Sequence, residues 1–146
     1  MRMAIGGVVL GLALAQPAMA ADWRLAGGSD RAVSFIDLSS IAKTGDTARF
    51  SRWMVLGASL PSRADNVRDS FEATCGTHAY RVLKAEFFER DRPAGALPTA
   101  SAGTAAPDTV LASLIDIACG KRKTDGPAVA DPYADGRARL GAMKAQ

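Results

Sequence analysis

The sequence is poor in the residues that most chemistry requires. It holds one histidine, His78, and two cysteines, Cys75 and Cys119, in 146 residues. A zinc site needs three or four ligands. A Cys–His nucleophile needs a free thiolate, an orienting partner and an oxyanion site. His78, three residues past Cys75, completes neither set. No glycine-rich phosphate loop is present, no serine stands in a nucleophile elbow, and the cysteines lack the Cys-x-x-Cys spacing of redox proteins. These shortages point away from an enzyme, and no catalytic residue, metal ligand or cofactor is assigned.

Charge of one sign is scarce too: 18 Lys and Arg stand against 15 Asp and Glu, a net charge of +3. From Lys121 onward there are six basic and three acidic residues, so the body before it is nearly neutral. A near-neutral body lacks the basic footprint of a nucleic-acid binder. Beyond the first twenty residues no apolar run reaches the roughly 20 residues of a membrane span. No internal repeat is found.

What is there begins with a leader. Residues 1–20 read as a secretory signal peptide: Arg2 supplies a positive start, residues 4–15 are uncharged and apolar, Gln16 and Pro17 break the run, and Ala18-Met19-Ala20 is a small-x-small cleavage site. No cysteine follows closely enough to carry a lipid. The expectation is an exported, soluble chain starting near Ala21, in the periplasm, at the outer-membrane surface or secreted. In that oxidising setting Cys75 and Cys119 read as one structural disulfide.

Residues 22–27 are a candidate first strand anchored by Trp23, closed by a turn cluster at 27–30. Residues 31–37 alternate, with Val33 and Phe35 on one face and Ser34 and Ile36 on the other. Asp37-Leu38-Ser39-Ser40-Ile41 then looks like a capped single turn. Residues 47–56 are apolar on both faces (Phe50, Met54 and Leu56 against Trp53 and Val55), as in an interior strand of a sheet covered on both sides. Residues 67–75 alternate with Val67, Phe71, Ala73 and Cys75 inward. Residues 79–90 form the next strand, Leu83, Ala85 and Phe87 on one face and Tyr80, Val82 and Phe88 on the other. A Gly/Ala/Pro/Ser-rich connection, 91–107, leads to a helical stripe of Val110, Leu111, Leu114, Ile115 and Ala118. Asp108 is its expected N-cap, and Gly120 suits the C′ position. From Thr124 periodicity is lost, so residues 121–146 read as a basic, disordered tail.

The spacing predicts an α+β fold: an antiparallel sheet of about five or six strands with a C-terminal helix packed on one face and tied to it by the disulfide. Closing a loop of about 45 residues is worth roughly 4 kcal/mol in the chain-entropy estimate. That is enough to clamp a helix too short to persist alone.

In order along the chain these pieces resemble the surface-adhesin protein E-like domain family of Gram-negative bacteria. They are Phe35-Ile36-Asp37-Leu38-Ser39-Ser40-Ile41 ending an early strand, Phe50 and Trp53 in a long strand, and Cys75 followed by His78-Ala79-Tyr80-Arg81-Val82-Leu83. Pro107-Asp108-Thr109-Val110-Leu111 then opens a helix that ends in Ile117-Ala118-Cys119. The resemblance covers about residues 30–120, most of a domain placed at 21–120. It implies a curved sheet with the C-terminal helix pinned to its concave face. It also implies a non-enzymatic binding module for host matrix or serum proteins such as vitronectin, laminin and plasminogen, using a basic stretch that leads into the first cysteine. The matching stretch here carries Arg63 and Arg68, interleaved with Asp65, Asp69 and Glu72.

Candidate binding residues are Arg63 and Arg68, then Arg81 and Lys84 on the following strand, and Lys121, Arg122 and Lys123 after the helix. A basic tail can reach anionic lipid, lipopolysaccharide or an acidic partner. The plainer readings are a solvated, charge-paired rim around Lys84, Glu86, Glu89, Arg90 and Arg92 and dipole complementation behind the helix. An exposed sheet edge can also pair with a second copy, giving a homodimer. The alternative function is a periplasmic, envelope-associated accessory or structural protein, its partners being envelope components.

Overall fold

The alternation of residues 23–97 folds into an antiparallel meander. The computed structural model describes residues 19–97, 101–124 and 126–146; residues 1–18 of the expected signal peptide lie outside them. Strands β1 (Trp23–Gly28), β2 (Ala32–Thr44), β3 (Thr47–Leu56), β4 (Asn66–Thr74), β5 (Ala79–Glu89) and β6 (Arg92–Leu97) lie in chain order in one open sheet. A short β7 (Ala102–Thr104) pairs with the first residues of β5, and β6 pairs with its second half. Helices α1 (Val110–Ala118) and α2 (Pro132–Lys144) complete the chain. The α+β sheet and its disulfide-tied helix are as expected, with seven strands and a second helix. No helix among the described residues is long and apolar enough to cross a membrane.

Register sorts the side chains onto two faces. Ile36, Arg52, Asp69 and Ala85 stand abreast on one, and Phe35, Trp53, Arg68 and Glu86 on the other. On the first face Ile36, Phe50, Phe71 and Ala73 pack beneath Leu114, Ile115 and Ala118 of α1. On the second Val33, Phe35 and Val55 meet Leu140 of α2, with Trp23, Trp53, Tyr133 and Met143 around them. The two-sided apolarity of β3 thus reflects a helix on each side.

The disulfide joins Cys75, just past β4, to Cys119, the C-cap of α1, with Cα atoms 5.7 Å apart. Gly120 takes the C′ position at φ 74°, a conformation that favours glycine. Its N–H donates to Ile117 O (3.0 Å) and that of Lys121 to Asp116 O (2.8 Å), a Schellman stop. The N-cap is Thr109 rather than Asp108. Thr109 is extended, and its Oγ1 accepts from Ala112 N–H at 3.1 Å. Asp108 sits one residue earlier at φ 61°, outside capping geometry.

The 91–107 connection, read in the sequence without periodicity, holds β6 and β7. Three further segments depart from the pattern read in the sequence. The expected turn at 37–41 is a bulge within β2, because Asp37 pairs with Ser51 and Ala42 with Arg49. The Asp and Ser side chains do serve the backbone there: Asp37 Oδ1 accepts from Ser39 N–H (3.0 Å), and Ser40 Oγ accepts from Ser51 N–H (2.8 Å). In β5 the pairing passes from Ser70–Lys84 to Phe71–Val82. Leu83 is the extra residue and is 41% exposed. Beyond the bulge Tyr80 and Val82 share the face of Ala85 and Phe87, correcting the alternation expected for this strand.

The third departure is the tail. Residues 121–146 are not the expected disordered segment, since they contain α2. Asp131 caps it, accepting from Ala134 N–H at 3.1 Å, and Pro132 occupies the first position. Tyr133, Gly136, Leu140 and Met143 form its inner side. A Cβ on Gly136 would lie 2.7 Å from a Val55 methyl, so the glycine lets the helix sit directly on β3. Arg137 donates to Leu56 O (2.9 Å) and Lys144 to Gly57 O (3.0 Å). Between the helices the chain passes along the outer edge of β1: Val129 N–H donates to Trp23 O (2.8 Å), and Arg24 donates to Gly126 O (3.0 Å).

Candidate functional site

Where α2 meets the start of β4, polar groups converge. Asn66 is fully buried; its Nδ2 donates to Arg90 O (2.8 Å) and Asp65 Oδ1 (2.9 Å), and its Oδ1 accepts from Trp53 Nε1 (2.9 Å). Asp65 also accepts from Arg90 N–H (2.9 Å) and from Tyr133 Oη–H (2.8 Å). One asparagine and one aspartate therefore fix β3, the β5–β6 turn and the first turn of α2 relative to one another. Burial pushes the Asp65 carboxyl up, but the bonds from Arg90, Asn66 and Tyr133 and the charge of Arg137 outweigh it and hold it below the usual range. Tyr133 is raised by burial and by its bond to that carboxylate.

Beside this node the Arg68 guanidinium lies between two rings, 3.8 Å from the Trp53 centroid and 4.3 Å from that of Phe88. Its Nε is buried and has no hydrogen-bond partner among the described residues. Glu86, its cross-strand neighbour, pairs with Lys84 instead (3.1 Å). An open cleft of about 880 Å³ adjoins Arg68, lined also by Trp53, Arg90, Asp131, Tyr133 and Arg137. A smaller groove of about 280 Å³ continues from Arg68 along the same face past Ser70 and Ser51 to Asp37 and Trp23. The arrangement presents guanidinium groups between aromatic walls, a chemistry suited to recognition of anionic and apolar surface together.

The family model of surface-adhesin protein E matches residues 23–120, two thirds of the chain. The chain belongs to the surface-adhesin protein E family. No curated protein sequence matches it. Crystal form II of Haemophilus influenzae protein E is similar in fold, with TM-score 0.54, 20% identity, and 77% of this chain and 97% of that chain covered. A second structure of H. influenzae protein E gives 0.53 at 19% identity, covering 73% and 91%. Protein E from non-typeable H. influenzae gives 0.51 at 16% identity, covering 89% and 92%. At these identities the likeness establishes the fold. The family match ends at the Schellman stop of α1, so α2 and its side of the cleft lie beyond it.

Within this adhesin-family fold the seven candidate binding residues fall in separate places. Arg68 lines the cleft. Arg81 and Lys84 share its sheet face, but Arg81 is bound to Glu72 (2.7 Å), which also holds Arg49 (2.7 Å). Bonds from Arg49 and then Arg81 keep the Glu72 carboxyl below its usual range. Arg63 stands exposed at φ 69° in the β3–β4 connection. Lys121 donates to Cys75 O and Arg122 to Ser113 Oγ (2.9 Å), while Lys123 is exposed. This triplet sits past the end of β4 opposite to Arg63. His78, at φ 57°, has its Nε2 2.7 Å from Asp116 Oδ1, tying the β4–β5 turn to α1. Arg90, placed by the sequence pattern on a charged rim, lines the cleft instead. Tyr133, Asp131 and Arg137 had one available signal, Asp131-Pro132, a cap followed by proline at a helix start.

Proposed function

We propose that this protein is an exported, non-enzymatic binding module that contacts host extracellular-matrix or serum proteins through the α2 side of its sheet. The observation that carries the reading is the arginine-lined, aromatic-walled cleft on a member of the surface-adhesin protein E family. Open clefts of this kind suit a protein side chain or loop better than an enclosed small molecule. The basic triplet after α1 is a weaker candidate, because Lys121 and Arg122 are bonded to the protein's own atoms.

Binding to immobilised vitronectin, laminin and plasminogen tests the reading. The expected result is saturable binding to at least one of them that weakens as salt rises. No binding to any of them at low salt would remove the host-partner reading. Antibody labelling and protease shaving of intact cells then separate surface display from the alternative, a periplasmic envelope accessory. Display predicts labelling without permeabilisation.

A further inference from the structure

We propose that the cleft between α2 and the sheet is a receptor for a single carboxylate carried on an apolar protein segment, with Arg68 as its anchor. This rests on the binding-module reading and names the chemistry of the partner which that reading leaves open. Glu86 is committed to Lys84, Asp131 to the cap of α2, and Asp65 to Arg90, Asn66 and Tyr133. Arg68 is thereby left without an ion pair among the described residues, and its Nε is buried without a partner. The Trp53 and Phe88 rings against the guanidinium shed water from around its plane. With Nε shielded, the edge left to a ligand is that of the two terminal nitrogens, and a planar carboxylate matches such an edge with two parallel bonds.

Arg90 adds a second, independent observation. It holds φ 59° in the tight β5–β6 turn, where glycine or asparagine carries less strain. Bonds from its N–H to Asp65 and from Asn66 to its carbonyl hold this conformation, and its side chain lines the same cleft. Arg137 is the third cation there. Set against them are Asp91 and Asp131 on the lining and the Asp65 carboxylate behind Tyr133, so three cations are matched by three carboxylates. With Arg68 unpaired, one further negative charge finds a partner, while a chain of them meets the aspartates. A sulfated glycan strand, which requires uninterrupted cations, is disfavoured by the two aspartates. The Trp53 and Tyr133 walls suit an aliphatic or aromatic residue next to the ligand's acid.

The test titrates the isotope-labelled, disulfide-bonded protein with N-acetyl-Phe-Glu-Phe-amide and with its Gln counterpart, following the Trp53 indole N–H and the amides of Arg90 and α2 by NMR. The expected result is saturable shifts at these groups, with the Gln peptide at least about tenfold weaker, as befits loss of a charged hydrogen-bond pair. Arg68→Lys, which cannot form the planar fork, weakens the Glu peptide about tenfold or more. Arg90→Gly removes a cation at a backbone position that favours glycine, so the fold is preserved while binding falls. Equal binding of the Glu and Gln peptides, or undiminished binding in a folded Arg90→Gly protein, overturns the proposal. So does a heparin hexasaccharide that shifts these groups when the Glu peptide does not. If the intact protein still binds a matrix protein while Arg68→Lys leaves that binding unchanged, the carboxylate receptor fails and the binding-module reading stands.

Discussion

α1 and α2 cover opposite faces of one sheet by different means. Five of the nine residues of α1 are buried, and Cys119 at its end is bonded to Cys75. Only three of the thirteen residues of α2 are buried, two of them Pro132 and Gly136. It is held by close approach at Gly136 and by Tyr133, Arg137 and Lys144 reaching Asp65 and the carbonyls of Leu56 and Gly57. Apolar mass and a covalent tie dock the first helix; fit and side-chain hydrogen bonds dock the second. The sheet beneath differs accordingly. Under α1 lies the stacked Phe50–Phe71 pair, with centroids 5.2 Å apart. Beside it is the buried Arg52–Asp69 pair, Nε to Oδ1 2.9 Å, where burial raises the Asp69 carboxyl in spite of the guanidinium. Over the other face the arginines stay accessible at the edge of α2.

Four perturbations would break or sharpen this contrast. The largest is Cys119→Ser, expected to cost about 4 kcal/mol in urea unfolding. Amides of α1 should lose exchange protection and Leu114 and Ile115 become exposed, while α2 keeps its protection; unchanged protection in α1 would mean the bond does not hold it. Gly136→Ala acts on the other helix. Its new methyl meets Val55, an overpacking cost of about 1–3 kcal/mol, offset by up to about 1 kcal/mol of helix propensity. Trypsin should then cut at Arg137 or Arg139 sooner than in the parent protein, with the disulfide-bonded core intact. Equal cleavage rates would show that the close approach does not matter.

Tyr133→Phe removes the bond to Asp65 and should cost about 1 kcal/mol, read as faster exchange in the first turn of α2 alone. The smallest effect is acid. Asp65 titrates below the ordinary aspartate value of 3.8, so its stabilisation is complete above that pH and is lost as pH falls through its depressed value. Asp69, raised by burial, has the opposite sign: its contribution is present below 3.8 and lost as pH rises through its elevated value. Below about pH 4 exchange in α2 should therefore quicken before that in α1; the reverse order would contradict both assignments.

The contrast also explains what could be read from residues alone. β3 and α1 bury side chains at regular spacing, and their periodicity survives in the sequence. The Cys75–Cys119 bond followed from two cysteines on inward-facing positions. The Leu83 bulge was invisible because one extra residue looks like continued alternation until the partner strand is known. The β2 bulge was disguised by Asp37, Ser39 and Ser40, whose side-chain bonds are those of a turn. α2 escaped because glycine at the contact point lowers both propensity and amphipathic signal. Its anchors are arginine, lysine and tyrosine groups whose acceptors lie 68 to 87 residues away in sequence. Arg68 is a candidate from its charge and place alone, but the rings against it come from β3 and β5 and appear only in the register.

The course of the chain after Gly120 has a bearing on self-association. By running beside β1, the 126–129 stretch takes up the outward carbonyl of Trp23 and engages Arg24 on that border of the sheet. A strand arriving there meets a main-chain acceptor already in use, so this border is a poorer template for edge-to-edge growth than a bare strand.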